Sequence, residues 1–322
     1  MAFQHLHKHD GPCHEHKHNG PCHAILDKID PIVDEFGQVE LEMMRINHKM
    51  TRDLYAKREK VISEIPNFWP RVFRAAPREI DKSFLPLDAK VIRTSLKNLT
   101  VERFELPDGD PRSFSLKFEF SENEYFENSV LEKKFWWRCA MNDWEGYVSE
   151  PVEIKWKPGK DLTGGLVDIA KKIYEELKVG NYDPKSPARE ALIKKFRDNS
   201  LDTYSFFNMF GYRGRYISAE ESAAAFMEVE EKRKARKEGR VIQEQMEDAY
   251  DDDDQYKFEV LPDVNELSIA IAEDLYPEAM TYYLEADDED DFDDEDDDED
   301  EDEDDFDDFD DFDDDDDDEE MS

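Results

Sequence analysis

Residues 25–50 read ILDKIDPIVDEFGQVELEMMRINHKM, and their large apolar side chains recur at intervals of four and three residues. The members of this series are Ile25, Ile29, Ile32, Phe36, Val39, Met43, Ile46 and Met50. A mean spacing of about 3.5 residues is typical of a coiled-coil helix. The series slips by one residue at Leu54, resumes at Val61 and Ile65, and stops at Pro66. The pattern therefore predicts one long helix over residues 25–65.

The start of this helix can be placed in two ways. Asp30 and Pro31 suit an N-cap and a first helical position, whereas the apolar series favours a kinked helix from about Ile25. From Pro31 to Ile65 the helix is about 50 Å long at 1.5 Å per residue, which is seldom covered by its own domain. We therefore expect a homodimer, with packing inside one subunit as the alternative. The predicted dimerisation residues are Ile32, Phe36, Val39, Met43, Ile46, Met50 and Leu54.

After this helix the apolar pattern changes to the alternation of β-strands. Strands are predicted at residues 99–106, 114–120, 130–138 and 152–156, with turns at 107–111 and 142–146. Short turns between successive strands indicate an antiparallel sheet, which needs helices over one face. The predicted fold class is α+β: a long N-terminal dimerisation helix, then an α/β domain with an antiparallel sheet covered by helices.

The remaining helices are predicted from their spacing and charge. Helical stretches are expected at 74–84, 167–177, 187–196, 219–246 and 267–284, and the aromatic cluster at 204–210 is expected in the core. The basic run within residues 232–240 is either part of a solvated helix or a nuclear-import signal. Residues 248–254 are expected to form an acidic loop.

The last 36 residues, 287–322, contain 30 carboxylates and no basic side chain. Such a composition cannot bury enough apolar surface to fold, so a disordered tail is expected. The chain has 85 acidic and 42 basic residues, and removing the 30 tail acids leaves 55 against 42 in residues 1–286. Body and tail are both acidic, which points to a cationic partner.

The chain opens with a nine-residue repeat, HKHDGPCHE at 7–15 and HKHNGPCHA at 16–24. Imidazole and thiolate are preferred ligands of zinc and copper, and the repeat could bring two of each together. The predicted metal ligands are Cys13, His14, Cys22 and His23. The alternative is a disordered, low-complexity leader that holds no metal.

Several function classes fit the sequence poorly. The negative charge argues against direct binding to nucleic acid and to anionic membranes. The chain has no apolar run of about 18 residues and a His-rich start, so a soluble intracellular protein is expected, and its three cysteines suit a reducing compartment. It contains no Gly-rich phosphate loop, no Gly-x-Ser-x-Gly and no histidine beyond His48, so we expect no catalytic centre.

A set of motifs gives a more specific indication. They are Tyr55-Ala-Lys-Arg58, Ile65-Pro-Asn-Phe-Trp69, Glu124-Tyr-Phe-Glu-Asn128, Glu150-Pro-Val-Glu-Ile-Lys-Trp156, Ser205-Phe-Phe207 and Asp274-Leu-Tyr-Pro-Glu-Ala-Met-Thr-Tyr-Tyr283. In this order, and followed by an acidic tail, they resemble the nucleosome assembly protein family, above all its SET branch with its fungal members. The resemblance covers residues 25–322 apart from insertions.

The resemblance implies a dimeric histone chaperone with no catalytic centre. Members of the family bind core histones (H3–H4, H2A–H2B) through an acidic surface and tail, which limits non-specific histone–DNA aggregation and promotes nucleosome assembly. The resemblance also implies a nuclear protein, with or without shuttling to the cytoplasm. Some SET-type members of the family bind a histone acetyltransferase or inhibit a phosphatase, so such an enzyme is a further candidate partner. Two alternatives stay open: an acidic DNA mimic that sequesters another basic nuclear protein or regulates a histone-modifying enzyme, and a metal-binding protein.

The domains expected on this basis are a disordered leader at 1–24, the helix at 25–65, a globular domain at 66–286 and the tail at 287–322. Compared with the family, the helix is about two turns shorter than in animal members, and insertions are expected at about 164–200 and 211–262. The candidate histone-binding carboxylates are Glu119, Glu122, Glu124, Glu127, Asp251, Asp252, Asp253, Asp254, Glu273, Asp274, Glu278 and Glu285. For any one of them an ordinary solvated carboxylate is the alternative. The tail phenylalanines Phe292, Phe306, Phe309 and Phe312 are expected to contact apolar histone surface, because a purely solvating tail gains nothing from them.

Overall fold

The computed structural model describes a helical and β-sheet body. The described residues are 23–141, 144–180, 183, 185–198, 204–211, 215–238, 240, 259–261 and 263–293. Of these, residues 23–28, 30, 198, 236–237 and 287–293 are described by their backbone alone. The acidic loop at 248–254 and the tail beyond Asp293 lie outside this part of the chain.

The first element is one continuous helix, α1 (His23–Ile62), of 40 residues and therefore about 60 Å long. The predicted long helix is confirmed, and its expected start near Ile25 lies within two residues of the observed one, whereas the alternative N-cap at Asp30 is wrong and the predicted end is three residues too late. The apolar series begins before Pro31, and the helix continues through this proline although its ring removes a backbone donor and crowds the preceding turn. It ends at Ile62, where the amides of Ser63 and Ile65 turn back to the carbonyls of Glu59 and Ile62.

Three short helices follow: α2 (Phe68–Arg74), α3 (Arg78–Asp81) and α4 (Pro86–Ser95). The single helix predicted at 74–84 is wrong, because Pro77 separates α2 from α3 and cannot continue a helix from the residues before it.

The N-terminus of α4 is fixed to a distant segment by a buried carboxylate. Asp88 accepts hydrogen bonds from the backbone amide of Leu85 (3.0 Å) and the hydroxyl of Ser205 (2.6 Å). The amide of Phe206 donates to the same side chain at 2.8 Å. Burial raises the pKa of Asp88, while these three hydrogen bonds act in the opposite direction. Asp88 thus joins α4 to the aromatic cluster at 204–210.

The sheet contains four antiparallel strands in the order of the chain: β1 (Leu96–Glu102), β2 (Phe114–Phe120), β3 (Val130–Cys139) and β4 (Glu145–Val148). β2 has its predicted bounds, and β3 extends one residue further than predicted. β1 lies earlier than predicted, because the chain turns at Arg103, whose carbonyl accepts the amide of Leu106. The strand predicted at 152–156 is wrong: only Trp156 makes an isolated bridge, with Phe126. The fourth strand instead begins within the predicted turn at 142–146.

The two faces of the sheet differ in character. Leu116 and Phe118 of β2 and Leu131 and Phe135 of β3 are fully buried on the inner face. The outer face carries the pairs Lys117–Glu119 and Lys134–Glu132, whose side chains are each about 40% exposed. Alternating side chains therefore place the apolar core on one face and solvated charge on the other, as expected for an antiparallel sheet. Lys133, in line with Leu131 and Phe135, is a fully buried exception whose Nζ donates to the carbonyl of Glu150 at 2.7 Å.

The inner face is covered by α5 (Leu166–Lys178), α6 (Pro187–Asp198) and a 3₁₀ helix (Phe206–Gly211). The rings of Phe206 and Phe210 contact that of Phe118 at centroid distances of 5.8 and 6.0 Å. The aromatic cluster predicted to be core is therefore confirmed. Helix α5, within the first predicted insertion, contributes buried residues to this same core.

The C-terminal elements are α7 (Ala219–Lys237), α8 (Val264–Ala270), a π-helical turn (Ile271–Leu275) and α9 (Ala279–Asp293). The single helix predicted at 267–284 is interrupted at Pro277, which separates α8 and its π-helical turn from α9. Helix α9 runs seven residues past the predicted start of the tail, because its preceding turns are anchored: Arg74 donates to the carbonyl of Ala286. The charged helix predicted at 219–246 is described only as far as Lys237. Within the described residues no helix combines the length and apolar character of a membrane span.

Candidate functional site

One face of α1 is an exposed apolar surface. All seven predicted dimerisation residues lie on the exterior of the subunit, with exposures from 49% at Ile46 to 70% at Met50. Val61 continues the surface toward the end of the helix. Contiguous apolar surface of this size on a soluble chain typically marks an interaction site.

The opposite face of α1 is clamped to the body. Arg58 donates to the carbonyl of Pro277 at 2.9 Å, and its guanidinium lies 4.7 Å and 4.6 Å from the ring centroids of Tyr55 and Tyr276. Ile62 is buried in the core. Tyr55–Arg58 and Asp274–Tyr283 are separate family motifs in the sequence, and in the structure they contact each other.

Two further contacts extend this clamp along the helix. Arg45 donates to the carbonyls of Pro107 (3.1 Å) and Gly109 (2.9 Å) in the β1–β2 loop. The carboxylate of Glu59 accepts a hydrogen bond from the side-chain amide of Asn98 at 2.8 Å. The side-chain carbonyl of Asn98 in turn accepts a hydrogen bond from the indole N–H of Trp69. The orientation of α1 relative to the sheet is thus fixed at several points.

Three predicted carboxylates gather where α8 leads into α9. The hydroxyl of Tyr282 donates to Asp274 at 3.0 Å. Burial, then Asp274, then the charges of Glu285 and Glu278 raise the pKa of Tyr282 to about 12. We call Asp274, Glu278 and Glu285 the α9 acidic group. Because Pro277 holds Arg58, this group is joined to the clamped face of α1.

The other predicted carboxylates near the sheet are partly neutralised. Glu124 pairs with Lys90 at 3.0 Å and Lys160 at 3.9 Å, and these cations, Lys90 above all, lower the pKa of Glu124. Glu119 pairs with Lys117 at 2.5 Å. Glu122 and Glu127 are exposed and make no ion pair within the described part of the chain.

These carboxylates do not form one patch. The loop that carries Glu122 begins where the amide of Ser121 meets the carbonyl of Ser95, at the start of β1. Glu273 pairs with Arg103 at 3.1 Å, just beyond the other end of β1. A seven-residue strand separates the two ends by about 20 Å. The structure therefore brings together the α9 acidic group and leaves Glu122, Glu124 and Glu127 apart from it.

Other predicted site residues fall outside what the structure describes. Cys13, His14, Cys22, Asp251–Asp254, Phe306, Phe309 and Phe312 lie outside the described residues, and His23 and Phe292 are described only by their backbone. The described part of the chain contains no group of three or more side chains placed to hold a metal ion.

Comparison with known proteins agrees with these observations. Residues 13–286 match the model of the Nucleosome assembly protein (NAP) family. Protein SET of Drosophila melanogaster is 33% identical over 144 residues, which is 43% of this chain and 51% of that protein. The chain spans about half the length of the curated relatives it matches.

Two solved structures share the fold. The crystal structure of Ccp1 matches with a TM-score of 0.50 and 24% identity, over 82% of this chain and 96% of that one. The crystal structure of Vps75 matches with a TM-score of 0.52 and 21% identity, over 83% and 99%. With its long helix, its helix-covered antiparallel sheet and a family match over most of its length, this chain belongs to the nucleosome assembly protein family.

Proposed function

We propose that this chain is a homodimeric nuclear histone chaperone that binds core histones, limits their non-specific aggregation with DNA and promotes nucleosome assembly. The observation that carries the proposal is the pair of surfaces on α1. Its exposed apolar face suits a second copy of the chain, and its clamped face holds the α9 acidic group at the root of the tail.

The charge distribution supports histones as the partner. The tail and the α9 acidic group present many carboxylates, which attract a strongly basic protein and compete with DNA phosphates for its lysines and arginines. A dimer presents two such tails, and linked weak contacts bind more tightly than separate ones. Phe292, Phe306, Phe309 and Phe312 add apolar contacts with the histone surface.

Light scattering of the purified full chain tests the proposed assembly. We expect a mass of twice the 38.0 kDa of one chain at micromolar concentration, and a defined complex on addition of H3–H4. A monomer would contradict the role of α1. A dimer that binds neither H3–H4 nor H2A–H2B would contradict the chaperone role.

Charge neutralisation tests the α9 acidic group. The variant Asp274→Asn, Glu278→Gln, Glu285→Gln should weaken histone binding about tenfold at physiological salt, since exposed charge pairs each contribute roughly 0.2–1 kcal/mol. The matched control is Glu122→Gln, Glu127→Gln, which removes exposed carboxylates from the other end of β1. The test variant removes three charges and the control two, so equal effects per neutralised carboxylate would show that only total charge matters and would remove the α9 acidic group as a site.

We also propose that Cys13, His14, Cys22 and His23 hold zinc or copper as an accessory to this function. The support is the ligand chemistry of the repeat alone. The metal content of the purified full chain should fall to background in Cys13→Ser, Cys22→Ser and stay unchanged in Cys139→Ser, whose thiol is buried away from solvent. Background metal in the unmodified chain would contradict the proposal.

A further inference from the structure

A cavity of about 300 Å³ lies beside the sheet on the side of α7. Three parts of the chain form its walls: the ends of β3 and β4, the C-terminal half of α5, and residues 215–219, which lead into α7. Two of these three parts fall within the segments predicted to be insertions. The cavity is therefore a feature of this chain that the family resemblance does not predict.

Aromatic side chains form much of the lining. Trp136 contributes from β3, Tyr174 from α5 and Tyr216 from the segment before α7. The rings of Tyr174 and Tyr216 contact each other at a centroid distance of 5.8 Å, and Tyr216 is 37% exposed at the edge of the cavity. Since a cavity of about 150 Å³ can hold benzene, this one has room for a phenyl ring and its neighbours.

Three cations line the same cavity: Arg138, Lys178 and Arg215. Among the described residues, Glu150 is the one acid in the lining, and its carboxylate accepts a hydrogen bond from the hydroxyl of Tyr174 at 2.7 Å.

The three cations differ in the contacts that they make with other side chains. Arg138 is held by Glu105 at 3.1 Å, and Arg215 lies 4.9 Å from the ring centroid of Trp144. Lys178 is exposed and makes no ion pair within the described residues. Glu105 offsets the charge of Arg138, so the positive charge that the lining offers to a ligand rests on Lys178, in a body where acids outnumber bases 55 to 42. Aromatic walls and positive charge together fit a ligand that is aromatic and anionic.

The C-terminal tail of this chain has that chemistry. Phe306, Phe309 and Phe312 recur at every third position, and each intervening pair of residues is Asp-Asp. We propose that this repeat docks in the cavity, with one phenylalanine ring against Trp136, Tyr174 and Tyr216. The neighbouring aspartates then pair with Lys178.

The length of the chain allows this contact. Phe306 follows Asp293 by 13 positions and Phe312 by 19. At 3.3–3.6 Å per residue these distances span up to about 45 and 65 Å, comparable with the roughly 40–50 Å width of a domain of this size. A docked tail also has a consequence for binding, because its phenylalanines and aspartates are then withheld from any other partner. The docking itself needs no histone, so it stands or fails independently of the proposed chaperone function.

Zero-length carbodiimide cross-linking of the full chain, followed by mass spectrometry, tests the contact. The reagent joins a lysine to a carboxylate only when the two touch. Lys178 should cross-link to residues 304–313 at least about fivefold more than Lys172, an exposed lysine on the same helix outside the cavity. Equal yields at Lys178 and Lys172 would overturn the proposal, since the tail would then sample lysines by charge alone.

Two variants separate docking from general attraction. Phe306→Ser, Phe309→Ser, Phe312→Ser keeps every tail carboxylate and should lower the Lys178 yield to that of Lys172. Tyr216→Ala changes the partly exposed aromatic edge of the cavity and should have the same effect without altering the tail. A Lys178 yield that is unchanged in both variants would show that no phenylalanine enters the cavity and would overturn the proposal.

Discussion

The two faces of α1 differ in what covers them, although both run the length of the same helix. One face carries Phe36, Met43 and Met50 into solvent, and the other carries Arg45, Arg58 and Ile62 onto the body. The body face is mixed in chemistry: guanidinium groups, a carboxylate and a few rings. The exposed face is almost purely apolar. The face packed on the body can be polar, because the body supplies hydrogen-bond and ion-pair partners for it. The apolar face is left exposed by the described part of the subunit, so only a further surface can cover it.

Both faces of α1 follow a seven-residue spacing, but only one of them is apolar, so the hydrophobic pattern of the sequence reveals only that face. Asp34, His48, Tyr55 and Ile62 contact or approach the body and are separated by seven residues or twice seven. The exposed face has the same seven-residue repeat in Phe36, Met43 and Met50. Hydrophobic patterning detects the apolar repeat and passes over the mixed one.

The largest expected effect comes from breaking the apolar face. Phe36→Asp, Ile46→Asp places a charge at four sites of a two-fold interface, and burying each costs at least about 1 kcal/mol, so dimer affinity should fall at least about a thousandfold. Light scattering should show a monomer at micromolar concentration. The control Gln38→Asp, Lys49→Asp alters exposed positions of the same helix beside this face and should remain a dimer. A dimeric Phe36→Asp, Ile46→Asp chain would place the dimer contact elsewhere.

The next effect concerns the clamp on the body face. Arg58→Ala removes a charged hydrogen bond and two cation–π contacts, so the free energy of unfolding should fall by about 2–3 kcal/mol. Chemical denaturation at a fixed protein concentration measures this difference. Lys49→Ala, at an exposed position outside both faces, should change stability by less than about 0.5 kcal/mol. If Arg58→Ala abolished the dimer but left stability unchanged, the division of α1 into two faces would be wrong.

A smaller effect is expected at the outer end of the body face. Asp34 pairs with Arg233 of α7 at 3.5 Å, with both side chains about a quarter exposed. Asp34→Asn should therefore lower the free energy of unfolding by no more than about 1 kcal/mol. Glu42→Gln, at an exposed carboxylate of the same helix outside the apolar face, is the control and should have no measurable effect. A loss above 2 kcal/mol at Asp34 would mean that α7 contributes as much as the Arg58 clamp.

The smallest effect is a pH dependence at His48. Burial and then the charges of Arg103 and Arg52 lower the pKa of His48, with Glu102 opposing them. The unfolded chain therefore binds a proton more readily, so stability should fall as pH decreases from about 6.5 toward the lowered folded-state pKa. His48→Gln should flatten this slope and leave stability above pH 7.5 close to that of the parent. An identical slope in both chains would show that His48 is not held against these arginines.

Local patterns predicted most of the secondary structure where side-chain spacing alone decides it. β2 alternates strictly and kept its predicted bounds, and the apolar series of α1 gave a helix of the expected length. Two predictions failed for reasons that side-chain spacing does not show. Residues 152–156 alternate like a strand, but the amide of Val152 donates to the carbonyl of Phe210 and only Trp156 forms a bridge. Pro277 divides a stretch whose apolar spacing alone predicts one helix.

The candidate site was predicted in part as a place. Glu273, Asp274, Glu278 and Glu285 were expected together on the last helix, because they lie close together in the sequence. The fold adds that Tyr282 donates to Asp274, that Glu273 pairs with Arg103 and that Glu124 is neutralised by Lys90 and Lys160. The cavity beside α7 could not be predicted, because its lining comes from segments up to about 80 positions apart with no shared motif.

The long apolar helix, the antiparallel sheet, the acidic charge and the family motifs follow from the amino-acid sequence, because these depend on composition and on spacing along the chain. Packing in three dimensions sets which face of α1 contacts the body, that Arg58 joins two motifs 219 positions apart, and which carboxylates pair with lysines and arginines. Hydrogen bonds, ion pairs and cavities depend on distances through space. Those distances are set when all the elements pack together, and no local pattern records them.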